Sequence, residues 1–352
     1  MWRRDEEICG VASLCLLFSM AEYLIPKPLP FCKLGLANLP LLLILSSWDW
    51  TSYLQVVFLK ILGSLWVGGT LFSPIALIAA SGGIASALVM KGLSRLCGKH
   101  ISLLGISVMG ALASNLVQIE AAALLVYGPS IRVAAPLLCL IGLASSIALG
   151  LVANACERRG LGPSPVEIPP SRAQASHPVA FLLLALVLVF LTLETKPLRL
   201  FCIWILLLGA QKGAGKKIRL GYPLMLLLSL LLLSLLFPTG KVLWSWGPFT
   251  LSSLALSSAL GKGLRLICMT SASQSMTTVM PPIPFRGFRL LSETLAVLGT
   301  LQLPQRGEKP MQALKTLFSG TRKAPRETRK NHPLLIGFLS LCAIVMCASN
   351  LL

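Results

Sequence analysis

Acidic residues are nearly missing from this chain. Of 352 residues only 12 are Asp or Glu, and the Asp residues are just Asp5 and Asp49. Two Asp cannot build a paired acidic motif of the DDxxD type, so a magnesium-dependent prenyl diphosphate synthase site is excluded. Charge of either sign is scarce as well. Charged residues make up 12% of the chain, where a soluble domain carries about 25%. A chain this apolar cannot cover itself with polar surface and needs lipid as its solvent. Three His give little to build a zinc site from, and no CxxC occurs among the ten Cys. Cys9, Cys15, Cys139, Cys202, Cys268, Cys342 and Cys347 sit in apolar runs and read as small buried thiols. No HExxH, GxSxG or GxGxxG stands in a suitable setting. The run Gly209 to Lys217 resembles a phosphate-binding loop. It fails on spacing at Ala210 and on the magnesium-holding hydroxyl at Lys217. The sequence therefore implies no cofactor, no metal and no catalytic residue.

What the chain does have is hydrophobic length and basic charge. The 31 Lys and Arg give a formal net charge of +19, which in a soluble protein suggests nucleic acid. Here the basic residues fall in short loops between apolar runs, the pattern that orients membrane helices. No nucleic-acid partner is implied; the partner is the bilayer. At about 20 apolar residues per crossing there are about eleven candidate spans, in two groups of about six and five. The first lies at 8–26, 34–49, 52–68, 70–90, 101–127 and 132–155. The second lies at 179–194, 197–211, 222–238, 248–273 and 333–351. The expected fold is an all-α integral membrane protein with two bundles, 1–157 and 179–352. The Pro-rich stretch 158–178 joins them as an exposed linker. The first run resembles an uncleaved signal peptide, with Glu22 and Pro26 following it rather than a small-residue site.

With the N-terminus cytoplasmic, counting spans places Arg3, Arg4, Lys91, Arg95, Lys99, Arg158 and Arg159 inside. Lys212, Lys216, Lys217, Arg219 and the basic stretch from Arg286 to Lys330 follow them. The outer loops hold mainly Lys27, Lys33 and Arg132. Every large basic cluster then falls on one side, as the positive-inside tendency expects of a multi-pass protein of a bacterial cytoplasmic membrane.

Several polar residues lie where hydrocarbon is expected. The segment Ile25 to Asn38 has three prolines at alternate positions and leads into a helix that starts with Lys33 and Asn38. Delayed helix starts at membrane depth occur where backbone lines a cavity, although a plain outer loop reads equally well. Lys60 lies one turn before Ser64 in the third span; Asn115, Gln118 and Glu120 lie in the fifth, with Asn115 and Gln118 on one face. Lys60 and an acid in a neighbouring span either pair as structural glue or hold a polar ligand. The glycines at 68–69, 82–83 and 142, with Ser81, Ser145 and Ser146, permit close helix packing. Within 286–330, Leu290, Leu291, Leu295, Leu298 and Leu301 recur at near-helical spacing with Glu293 on another face. This reads as an amphipathic segment against the membrane or a partner.

Lys-Leu-Gly-Leu-Ala-Asn at 33–38, Gly-Thr-Leu-Phe-Ser-Pro at 69–74, the following Ser-Gly-Gly, and Gly-Ala-Leu-Ala-Ser-Asn-Leu-Val-Gln at 110–118 resemble the Gx transporter, or heptaprenyl diphosphate synthase component I, family. That family looks like the substrate-binding S subunits of energy-coupling factor transporters. Ser114 stands where it more often has His. Residues 179–352 look like the T subunit of the same transporter class, on layout and on Leu-Phe-Pro (236–238), Gly-Pro-Phe-Thr-Leu (247–251) and Leu-Arg-Leu (264–266). The resemblance implies import of a small organic molecule such as a vitamin, a flavin or an isoprenoid precursor. Lys33, Asn38, Lys60, Ser64, Asn115, Gln118 and Glu120 would be its contacts. Arg306, Arg322, Arg326 and Arg329 would couple to separate ATP-binding subunits on the cytoplasmic face. The alternative is a non-catalytic membrane component of isoprenoid or quinone metabolism.

Overall fold

The computed structural model describes residues 2–23, 34–163, 178–193, 196–213, 221–236, 242–246, 249–279, 289–301 and 310–318. The first half is built from α1 (Trp2–Tyr23), a 3₁₀ turn (Leu36–Asn38), α2 (Leu39–Leu43), α3 (Trp50–Gly68), α4 (Pro74–Cys97), α5 (Leu103–Ala122) and α6 (Ala135–Arg158). Local chemistry fixes the ends of these helices. Asp49 caps α3 by accepting the Ser52 backbone N–H, and the Thr51 hydroxyl together with that N–H holds its carboxyl well below the usual range. Pro74 opens α4, where its missing N–H costs nothing. Ser102 caps α5 through the Gly105 N–H at 3.3 Å. Gly69, at φ 66°, closes α3 in the left-handed conformation.

Helices α4, α5 and α6 run antiparallel through close approaches at small residues. Gly110 faces Met90, Gly150 faces the Leu104 backbone, and Ser107 donates to the Ser146 carbonyl at 3.0 Å. Their outer faces carry exposed Leu77, Ile84, Leu88, Leu116, Leu140 and Leu151, the surface a helix presents to lipid. Among the described residues, three stretches are long and apolar enough to cross a membrane: Trp50–Gly68, Pro74–Cys97 and Leu103–Arg158. The last doubles back through a π-helical turn at Ala123–Tyr127 and a 3₁₀ segment at Gly128–Ala134, so it supplies both α5 and α6.

The expected second span, 34–49, is a broken segment rather than one continuous helix. Helices α1 and α3 run side by side in the same direction: Arg4 pairs with Asp49 at one end, and Leu16 packs on Gly63 further along. The chain between them has to return. At the far end the Leu34 N–H donates to Glu22 Oε1 at 2.6 Å. From there the return uses the 3₁₀ turn, the five-residue α2 and a run of turns. Lys91 holds its near end by donating to the Leu45 and Trp48 carbonyls, each at 2.6 Å.

The second half contains α7 (Pro178–Leu193), α8 (Pro197–Gly213), α9 (Gly221–Leu236), β1 (Val242–Trp246), β2 (Phe249–Ser252), α10 (Ser253–Val279), α11 (Arg289–Thr300) and α12 (Pro310–Phe318). The two strands form an antiparallel hairpin, so the expected span at 248–273 starts as a strand and its helix begins at Ser253. At 1.5 Å per residue α7, α8 and α9 are about 24–26 Å long, short of the roughly 30 Å hydrocarbon layer. The count of eleven full spans is thus not what the described residues form. The expected last span, 333–351, and most of the linker lie outside those residues.

The halves share a core in which Leu226, Leu230, Leu266 and Ile267 pack on Ile75, Ile78, Ile119 and Ile131. Polar contacts join them too. The Phe72 N–H donates to Ser273 Oγ at 3.0 Å, and the Tyr127 and Ser229 hydroxyls lie 3.1 Å apart. Gln274 sits against Gly69. Charge counting puts the 69–73 turn outside and position 274 inside, yet packing places them together. Short helices need not each be a crossing, so the described residues do not establish an eleven-span arrangement.

Helix α11 also departs from expectation. Its partner is the chain's own α1 and α3, and Glu293 lies on the buried face with Leu291, Thr294 and Val297. Glu293 is neutralised there by Arg289 one turn away, at 2.6 Å.

A Cβ on Gly69 would meet Gln274 in a conformation that L side chains resist. Gly69→Ala is expected to cost about 1–2 kcal/mol and lower the melting temperature in detergent. Gly92→Ala, in open space within α4, is expected to leave it unchanged or raise it.

Candidate binding cavity

A set of polar residues of the first half faces inward, onto a shared cavity. Its floor is the broken segment. Gly35, at φ 80°, turns the chain so that the Asn38 N–H bonds the Gly35 carbonyl at 2.8 Å, and helix begins only at Leu39. Leu34, Gly35, Ala37 and Asn38 therefore line the cavity from an irregular segment in place of a continuous helix. Helix α1 contributes Ser19 and Glu22, and α3 contributes Lys60 and Ser64 one turn apart. Helix α4 adds Ser86; α5 adds Ser107, Ser114, Asn115 and Gln118; α6 adds Gly142, Ser145 and Ser146.

Two opposite charges meet here. Lys60 donates to Asn38 Oδ1 and lies within electrostatic reach of Glu22, which is 4% exposed. In low dielectric an unpaired ammonium is costly, so the amide and the carboxylate together let Lys60 stay at this depth. The two α5 amides are seated by glycines. A Cβ on Gly142 would collide with the Asn115 amide, and one on Gly82 with that of Gln118. With that room, Asn115 donates to the Leu138 carbonyl at 3.4 Å and Gln118 to Ser114 Oγ at 2.9 Å. The cavity encloses about 80 Å³, space for about five waters or one compact polar group.

Of the residues expected from sequence, Asn38, Lys60, Ser64, Asn115 and Gln118 converge on this cavity. Glu120 does not. It is ion-paired with Arg132 at 2.7 Å, both side chains are about 60% exposed, and they line a shallow groove on the outer wall. The pairing of Lys60 with an acid of the fifth span is thus replaced by Glu22 of α1. Lys33, Arg306, Arg322, Arg326 and Arg329 lie outside the described residues. Sequence reasoning missed Glu22, Ser86 and Ser107 as cavity residues. Ser107, Ser114 and Gln118 recur at helical spacing on the Asn115 side of α5, a signal that was available. Among the described residues no three His, Cys, Asp or Glu gather as a metal site.

Filling the glycine seats closes the cavity from within. Gly142→Val is expected to displace the Asn115 amide and cost about 1–3 kcal/mol, read as a lower melting temperature with α-helical content retained by circular dichroism.

Residues 11–156 match the family model described as Heptaprenyl diphosphate synthase component I. No curated protein matches the chain, and no solved structure does. The match spans α1 from Val11 to nearly the end of α6, and with it every helix that lines the cavity. The first half of this chain is thus similar to the heptaprenyl diphosphate synthase component I family.

Proposed function

We propose that this chain is a non-catalytic membrane subunit that captures a small organic molecule in the cavity of its first half, as part of an energy-coupling-factor-type importer. The observation that carries this reading is the convergence of Asn38, Lys60, Ser64, Asn115 and Gln118 from three separate segments on one polar cavity, inside helices whose outer faces are apolar. Buried polar groups are expensive in a bilayer, and a purely structural bundle gains nothing from gathering them around empty space. Helix α11 supports the coupling part of the reading. It packs on α1 and α3, the helices that carry Glu22 and Lys60. A push on the second half by separate ATP-binding subunits would therefore be felt at the cavity wall.

The family description favours a second reading, a membrane component that works beside a soluble prenyl diphosphate synthase subunit. The two predict different companions. Purification of the whole chain from its native membrane in mild detergent, followed by protein mass spectrometry, should recover nucleotide-binding ATPases. Recovery of a prenyl synthase subunit without any ATPase would replace the first reading by the second.

Uptake of the cognate molecule into cells or vesicles tests the site. Asn115→Ala and Lys60→Met should each reduce it tenfold or more, about 1.4 kcal/mol of binding, while Gly92→Ala transports normally. Uptake unchanged in both cavity variants would remove these residues from the site.

A further inference from the structure

The hydrogen-bonding capacity left open in the cavity identifies the class of molecule it takes, given the reading above of the cavity as a binding site. Each serine hydroxyl has one proton and two lone pairs. Ser64 gives its proton to the Ile61 carbonyl, Ser145 to that of Gly142, Ser146 to that of Leu143, and Ser107 to that of Ser146, at 2.8–3.0 Å. These hydroxyls can only accept from a ligand. The Asn115 and Gln118 side chains each spend one amide N–H, on Leu138 and Ser114, and keep the carbonyl oxygen and a second N–H for other partners. The α5 and α6 wall is thus richer in acceptors than in donors.

Across from it one basic and one acidic residue share the lining. Lys60 is the cavity's one cation among the described residues, and it faces Glu22 and Asn38. Among the described residues no arginine lines the space, so none of them offers the forked donors or surplus positive charge that a diphosphate needs. One group points to an absent occupant directly. Ser86 Oγ is buried, in a residue 2% exposed, and has no hydrogen-bond partner although it borders the cavity. A buried hydroxyl without a partner is costly, and a ligand polar atom would satisfy it.

We propose that the cavity selects a compact organic molecule of no net charge, rich in N–H or O–H donors, and rejects diphosphates. Its donors meet the serine and amide oxygens of α5 and α6, and one of its polar atoms bonds Ser86. The cavity's about 80 Å³ limits the enclosed part to a few heavy atoms.

Thermal unfolding of the full chain in nanodiscs tests this with two sets of probes. One set is neutral carboxamides and zwitterionic amino acids; the other is inorganic diphosphate and isopentenyl diphosphate. A melting temperature raised by at least one member of the first set and by neither diphosphate is the expected result. Ser86→Ala separates a ligand contact from a structural serine. It should melt at or above the wild-type temperature without ligand, because the unpaired hydroxyl is gone, and lose most of the ligand-induced rise. Stabilisation by a diphosphate, lost in Ser86→Ala, would overturn the chemical class and leave the binding reading standing. A rise unaltered by Ser86→Ala would remove Ser86 from the site and overturn the proposal. No rise with any probe would overturn the proposal and the binding reading together.

Discussion

A charged amine inside hydrocarbon must find its partners within the protein, and the first half is arranged around that requirement at Lys60. Its ammonium is answered by Asn38 from the broken segment and by Glu22 from α1. Both partners depend on the chain stopping short of a continuous helix between 34 and 49. Glu22 is held by the Leu34 N–H at the start of that segment, and Asn38 sits on the 3₁₀ turn that Gly35 makes possible. The return to Asp49 lets α1 and α3 run side by side, which brings Lys60 and Glu22 to one place. A regular helix through this segment would satisfy its own backbone and leave the amine without its amide.

The cavity follows from the same economy of polar groups. Lipid cannot hydrogen-bond to serine or amide side chains, so α4, α5 and α6 turn theirs inward and give leucine and isoleucine to the outside. Glycine then decides how much space is left. Gly82 and Gly142 make room for Gln118 and Asn115; larger residues there would convert the cavity into an ordinary packed core. The hydroxyls that bond their own helix turns are cheap to bury, yet they keep lone pairs facing the centre.

Much of this was legible in the sequence. A polar residue in a long apolar run has few places to go, so Asn38, Lys60, Ser64, Asn115 and Gln118 could be assigned to an interior without a structure. The delayed helix start after the alternating prolines was legible for the same reason. Glu120 was misplaced because a span boundary is soft: at the end of α5 the chain turns through a π-helical segment, and Arg132 from the following loop reaches back to it. The second half was harder. Leucine-rich runs of 16–17 residues look alike whether they cross a bilayer or pack against a neighbour, so hydropathy counted α7, α8 and α9 as crossings. Nor could spacing show that Glu293 faces inward, since the pairing with Arg289 and the position of α1 make that burial acceptable.

The central claim is that the first half holds an organic molecule in a cavity formed by these polar side chains. The most direct test is to extract and identify the small molecules carried by the protein purified from its native membrane, side by side with Gly142→Val. The account predicts a polar compound without net charge, released in near-stoichiometric amount from the wild-type chain and absent from the variant. A wild-type preparation that releases no such compound, or releases it equally from the variant, would contradict it.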